Sequence, residues 1–345
     1  MIQKILLTFM MNLPDFIKLF LSRKKQINLH GRKLLPSFQL MLSMSENENS
    51  EIDYSSLSAS DFRKNYDQPN PMSFYSKKSD NLETLDHHVE VEDGSIKVRQ
   101  YISKNSSEKS LLYFHGGGFT SGNLESHDNL CKYLSYLLGI NIFSVDYRRS
   151  PEYKFPIPLN DCHYAYEWLI ANAEGFGVDP LRIYTGGDSA GGNFSAALCL
   201  IRKESNKSMP FGQLLFYPVT DLRYLTESYK LYDKGFLLTG NMMRWFVNNY
   251  ITNNDAMNPL ASPLLAEDFT GLPPSVIVTA GFDPLRDEGY EYAQKLKLSG
   301  IDVIYKEQPG FIHAFAQFGV IPECRSAIKE ACLDLVSLSK QNEHV

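Results

Sequence analysis

Gly186-Gly187-Asp188-Ser189-Ala190-Gly191-Gly192 stands between an apolar, β-leaning run at 181–185 and a helical stretch at 193–202. Strand, Gly-x-Ser-x-Gly, helix is the context in which this short pattern carries meaning. A serine on so sharp a turn points its hydroxyl away from the backbone. Gly187 and Gly191, two before and two after it, remove Cβ atoms that would crowd the turn. A serine between glycines is otherwise an ordinary turn, so the rest of the chain has to supply its partners.

Outward from this turn, strands alternate with helices. Upstream, residues 111–114 form a buried-type strand that ends in His115-Gly116-Gly117-Gly118-Phe119. A helix around 127–138, a strand over 140–147 and a helix over 161–172 follow. Downstream, 214–217 and 275–279 read as strands, and 303–305 as a shorter one. The alternation predicts an α/β fold, a mostly parallel sheet with helices on both faces. Residues 88–92 and 96–102, joined through Asp93-Gly94, read as an edge hairpin. Its His87, His88, Glu90 and Glu92 fit a solvated charged face better than a metal set. Over 222–263 the alternation lapses, and Met242-Met243-Arg244-Trp245-Phe246 with Tyr250 reads either as a core helix or as a pocket lid. Residues 1–75 show no core strand: 35–44 is a short apolar segment, 45–50 an acidic loop, and 58–62 opens a capped helix. The expected organisation is a helical cap segment (1–75), core (76–221), lid insertion (222–263) and core again (264–345).

A chain of 345 residues suits one large domain with a cap. Its net charge of −6 argues against nucleic acid as the main partner. Cys131, Cys162, Cys199, Cys324 and Cys332 are scattered and odd in number, which favours reduced thiols and a cytoplasmic location. No uninterrupted apolar run reaches the length of a membrane span. Near the start, Leu13, Phe16, Ile17, Phe20 and Leu21 fall at helical spacing ahead of Arg23-Lys24-Lys25. That predicts an amphipathic helix docking on the body or touching a membrane surface, and fits better than a secretory signal, for which no small-residue cleavage site follows. A homodimer is compatible with the sequence and not specified by it.

A serine hydroxyl is a poor nucleophile without a base in reach and a carboxylate to hold that base. In an open α/β sheet such groups lie on loops at the carboxyl ends of strands. Of the eight histidines, His30, His87 and His88 precede the main strands, while His127 and His163 lie in helical text. His115 opens the glycine loop and His344 lies in the tail. His313, in a loop just after the strand at 303, is the candidate base. The carboxylate should follow the preceding strand, where Asp283 and Asp287 both occur. Asp283 sits at the strand's end, although it could instead cap the next helix with Pro284 at its first position; one carboxylate orientation is not expected to fill both roles. Asp287 is better placed to pair with Arg286 or cap a helix. The order Ser189, Asp283, His313 is that of an α/β-hydrolase sheet. Attack on a carbonyl creates an oxyanion, and Gly116, Gly117, Gly118 and Ala190 offer bare backbone N–H donors. No Gly-Lys-Ser/Thr phosphate loop and no His-Glu-x-x-His zinc motif is present, so neither cofactor nor metal is implied.

With these residues in order, the chain resembles the hormone-sensitive-lipase-like α/β-hydrolases, the bacterial type IV esterases. The likeness is carried by 115–119, Asp146-Tyr147-Arg148, Pro151-Glu152, Gly187-Asp188-Ser189-Ala190-Gly191, 283–289 and 310–315. It implies Ser189 as nucleophile, Asp283 as orienting acid and His313 as base. It implies an oxyanion hole from the N–H groups of Gly117, Gly118 and Ala190. Short- to medium-chain carboxylic esters would be the substrates, and 1–75 with 222–263 the cap. Arg149 and Ser150, ahead of Pro151-Glu152, depart from the family's usual apolar residue and alanine, a change expected to touch loop surface chemistry. The alternatives are the same triad acting on an amide, a lactone or an acetylated small molecule, or a non-catalytic receptor. The plant gibberellin receptors, which resemble the family, lack the catalytic histidine, so His313 argues against the last.

Overall fold

A computed structural model of the chain describes residues 2–45, 53–54, 56–76, 79, 82–105, 107–252 and 254–342. The N-terminal segment holds α1 (Ile2–Met11), α2 (Asp15–Leu21), a two-stranded hairpin β1 (Asn28–Leu29) and β2 (Arg32–Lys33), α3 (Pro36–Ser45) and α4 (Ala59–Tyr66). Ser58 caps α4 by accepting from the Asp61 N–H. Most of the acidic loop expected at 45–50, and His344, fall outside the described residues.

The core follows in chain order as β3 (Glu83–Val91), β4 (Gly94–Ile102), β5 (Ser110–Phe114), α5 (Leu124–Leu138), β6 (Asn141–Asp146), α6 (Ile157–Ala171), β7 (Ile183–Asp188), α7 (Ala190–Glu204) and β8 (Gln213–Phe216). Between β8 and the next strand lie α8 (Glu227–Leu231) and α9 (Gly240–Tyr250). The core resumes with β9 (Ser275–Phe282), α10 (Arg286–Leu298), β10 (Val303–Ile312) and α11 (Pro322–Asn342). Eight strands form one sheet in the order β10-β9-β8-β7-β5-β6-β4-β3. All pairs from β10 to β6 are parallel, and β4 and β3 add on antiparallel. The β3–β4 hairpin closes where Val91 pairs with Gly94.

Strand alternation divides the core. In β5, Leu111 and Tyr113 face a cluster with Leu130 and Leu134 of α5 and Ile328 and Leu335 of α11. Leu112 and Phe114 face the other side, with Leu159 and Leu169 of α6 and Phe194 and Leu198 of α7. Both faces are therefore covered, and all five residues of β5 are buried.

Two expectations change. The strand expected at 303–305 runs on to Ile312, across a register irregularity between Gln308 and Ile312; Pro309 and Gly310 mask it in the sequence. The apolar positions near the start, expected either to dock on the body or to touch a membrane surface, are split, with Leu13 and Ile17 half-buried. Phe16 and Phe20 point outward, whereas Lys18 is buried with its ammonium on Ser37 Oγ at 2.9 Å. That hydrogen bond and the Asp15 carboxylate at 2.8 Å satisfy the charge.

Candidate active site

β7 extends through both glycines to Asp188, and α7 begins at Ala190, so Ser189 alone makes the turn. Its backbone takes φ 55° and ψ −116°, a strained conformation for a residue with a Cβ. Close packing enforces it. A Cβ on Gly191 would overlap the Phe114 carbonyl, and one on Gly187 the Gly191 backbone.

Ser189, Asp283 and His313 follow directly on β7, β9 and β10, at the carboxyl ends of strands in one half of the sheet. Ser189 Oγ lies 3.0 Å from His313 Nε2, and His313 Nδ1 lies 2.8 Å from Asp283 Oδ2. Asp283 is wholly buried, and its other oxygen accepts from the Leu285 N–H at 2.9 Å. The capping role weighed against it is not filled, because α10 has no side-chain cap. The Asp283 contact shapes the turn before α10, whose cap position is Leu285. Asp287 instead pairs with Arg286 and accepts from the Ser228 N–H at the start of α8. The Tyr217 ring lies against His313, with centroids 4.7 Å apart, and its hydroxyl accepts from the Ala316 N–H. Tyr217 was not singled out from the sequence.

The glycine loop leaves β5 beside the serine. The Gly117 and Gly118 N–H groups have no protein acceptor among the described residues. Gly116 differs from them. Its N–H donates to Asp188 Oδ1 at 3.0 Å, so it is committed to holding the loop. Asp188 also accepts from the Tyr113 hydroxyl at 2.8 Å and lies 3.2 Å from His127 Nε2. Burial would raise the Asp188 carboxyl, but the attraction of His127 and the hydrogen bonds from His127, Tyr113 and Gly116 hold it below the usual carboxylate range. His115 stacks on Tyr147, whose hydroxyl donates to the His115 carbonyl at 2.8 Å. Burial, with His127 nearby, pushes the His115 imidazole well down, so it stays neutral. His127, Tyr113 and Tyr147 come together only across β5, α5, β6 and β7; no local spacing announces them.

The Arg149-Ser150 departure reaches deeper than the surface. Ser150 is fully buried and donates from Oγ to the Phe119 carbonyl at 2.9 Å. Arg149 pairs with Asp67 at 2.5 Å and donates to the Gly122 carbonyl. From α4, Arg63 donates to the Thr120 and Ser150 carbonyls, at 2.6 Å each, and pairs with Glu152. The glycine loop is therefore pinned to the N-terminal segment.

A cavity of about 490 Å³ opens over Ser189. Gly117, Gly118 and His313 form its floor, and Leu42, Phe62, Tyr66, Met242 and Phe246 its walls. The helix at 240–250 thus serves both as packed core and as pocket wall: Phe62 of α4 meets Trp245 and Phe246 of α9 edge-on or tilted. Gly118 has φ +60°, and a Cβ there would overlap the Phe246 ring. Gly118→Ala should lower kcat about 100-fold or more with the fold retained, as expected for a displaced oxyanion donor. Steady-state kinetics on a short ester beside a melting curve would separate that loss from unfolding.

Behind the Asp283 turn, wholly buried Glu288 accepts from the Thr220 and Asp221 N–H groups at 2.7 and 3.2 Å. Burial, reinforced by the Asp221 charge, raises its carboxyl well above the ordinary value against those two hydrogen bonds. The folded state therefore holds a proton that the unfolded chain releases near pH 4.3. The associated stability is complete below that pH and is lost as pH rises through the higher folded-state value. Glu288→Gln has no such proton to lose, and its melting temperature should fall less than the wild type's between pH 5 and 9. Equal slopes in thermal melts would refute this.

No group of three or more potential ligands that could hold a metal ion occurs among the described residues. A family model described as the α/β-hydrolase fold matches residues 111–317. The carboxylic ester hydrolase LipN of Mycobacterium tuberculosis is 39% identical over 243 residues, which is 66% of this chain and 65% of that protein. The arylesterase of Saccharolobus solfataricus is 39% identical over 236 residues, 68% of this chain and 77% of its own length. An ester hydrolase from the metagenome of Lake Arreo, EH1AB1, superposes with a TM-score of 0.79 at 33% identity, covering 88% of this chain and 98% of that one. The chain belongs to the α/β-hydrolase family, in its hormone-sensitive-lipase-like, type IV esterase branch.

Proposed function

We propose that the protein is a serine carboxylesterase that hydrolyses short- to medium-chain carboxylic esters through an acyl-enzyme on Ser189. The ester-hydrolase class is that of the relatives named above. The observation that carries the residue roles is the continuous chain Ser189 Oγ, His313, Asp283, with steps of 3.0 and 2.8 Å. In this reading Ser189 attacks the ester carbonyl while His313 Nε2 takes its proton. Asp283 fixes the tautomer that leaves Nε2 free to accept. The tetrahedral oxyanion is met by the N–H groups of Gly117, Gly118 and Ala190. His313 then returns the proton to the departing alcohol, and water repeats the sequence to release the acid.

The mostly apolar cavity supports acyl chains of modest length. Rates on p-nitrophenyl esters should be highest from acetyl to octanoyl and fall steeply towards palmitoyl. A p-nitrophenyl phosphonate should label the protein once, on the peptide carrying Ser189. Label elsewhere, or a rate that keeps rising to palmitoyl, would count against the reading. The receptor alternative loses support because His313 stands within hydrogen-bond reach of Ser189. Five free, buried cysteines support a reducing, cytoplasmic location, and contact of the N-terminal helices with a membrane surface belongs to the same reading.

A further inference from the structure

Helix α1 packs Leu7, Met10 and Met11 against the core, and α1 and α2 leave a second set of apolar side chains outside. Ile5, Leu6 and Phe9 of α1 are 63%, 55% and 65% exposed, and Phe16 and Phe20 of α2 are 73% and 80% exposed. The one lysine of α2 is turned inward, at 3% exposure, onto Ser37 and Asp15. A surface helix of an ordinary globular protein does the reverse. An apolar face of this size marks an interaction site.

Charge says what kind. Residues 1–34 hold seven lysines and arginines and one acidic residue, Asp15, in a chain whose net charge is −6. Arg23, Lys24 and Lys25 follow α2 directly and are exposed. With Leu19, Phe20 and Leu21 they border a concave surface of about 580 Å³. Exposed aromatic rings rimmed by basic side chains match the boundary between acyl chains and anionic headgroups. A two-fold contact with a second copy would bring the same basic rim against itself, which like-charge repulsion opposes.

We propose that the outward face of α1 and α2, with Arg23 and Lys25 at its rim, docks this protein on the surface of an anionic phospholipid bilayer. Docking is peripheral, since no helix among the described residues is long and apolar enough to cross a membrane. α2 packs on α3, whose Leu42 lines the cavity over Ser189. The docked face is thus one helix removed from the site, and esters dissolved in the bilayer would be concentrated near the cavity. The docking itself does not depend on which residue is the nucleophile.

The test is co-sedimentation of the full chain with vesicles of phosphatidylcholine alone or mixed with phosphatidylglycerol. Binding is expected to the anionic vesicles, weakened by salt. It should fall about fivefold for each of Arg23→Gln and Lys25→Gln, the equivalent of about 1 kcal/mol per basic residue. The double change Phe16→Ser with Phe20→Ser should reduce it more than about tenfold. All variants should keep wild-type turnover of p-nitrophenyl acetate, which shows that they are folded. No sedimentation with anionic vesicles at low salt, or binding indifferent to both sets of changes, would overturn the proposal. A dimer seen by light scattering that the two phenylalanine changes dissociate would assign the face to a second copy and overturn it as well.

Discussion

Ser189→Ala should reduce kcat on p-nitrophenyl butyrate by about 10⁴- to 10⁶-fold while leaving the melting profile close to wild type. Alanine removes the Ser189 hydroxyl and adds nothing that Gly187 or Gly191 must accommodate. The residual rate would come from the donors of the glycine loop and from binding, which act on a water molecule as well as on a serine. His313 and Asp283 remain, so adding His313→Ala to the variant should cost little more. Such non-additivity is the mark of groups that act as one unit. Turnover equal to wild type would remove Ser189 as nucleophile.

Asp283→Asn should lower kcat by about 10⁴-fold, and the geometry says why. Both partners of Asp283 are donors: His313 Nδ1 at 2.8 Å and the Leu285 N–H at 2.9 Å. A carboxylate satisfies both with separate oxygens. An amide has one oxygen, so one of the two donors must face an NH₂ group. If Leu285 keeps the oxygen, His313 is driven to the tautomer whose Nε2 carries a proton and cannot accept from Ser189. If His313 keeps it, the turn leading into α10 loses its bond. The first case lowers kcat with stability nearly unchanged. The second adds about 1–3 kcal/mol of destabilisation from an unmet buried N–H. Chemical denaturation beside kinetics distinguishes them, and an asparagine variant with wild-type kcat would refute the orienting role.

Much of this site can be read from the sequence because it is written in strand ends. Each of the three residues follows an apolar strand, and their order along the chain matches the order the sheet needs. His313 emerged by elimination even though β10 runs for ten residues where its apolar run suggested three, since Pro309 and Gly310 hide the second part of the strand. The support beneath the glycine loop is different. Tyr113, His127 and Asp188 are separated by 14 and 61 residues and meet only when β5, α5 and β7 are assembled, so no window of sequence contains the contact. Helix α2 misleads for another reason. Its spacing says only that one face is apolar; in the fold Lys18 finds a place inside, on Ser37 and Asp15, while Phe16 and Phe20 stay exposed.

The Arg63 side chain ties α4 to the glycine loop, and this bears on how the protein can change. Any redesign of the cavity wall that shifts α4 also pulls on the carbonyls of Thr120 and Ser150, and through them on the glycine loop proposed to hold the oxyanion. Chain-length preference and catalytic rate are therefore not independent dials in this protein. Grafting such a wall from a relative would be expected to trade turnover for selectivity unless the guanidinium and its three partners travel together.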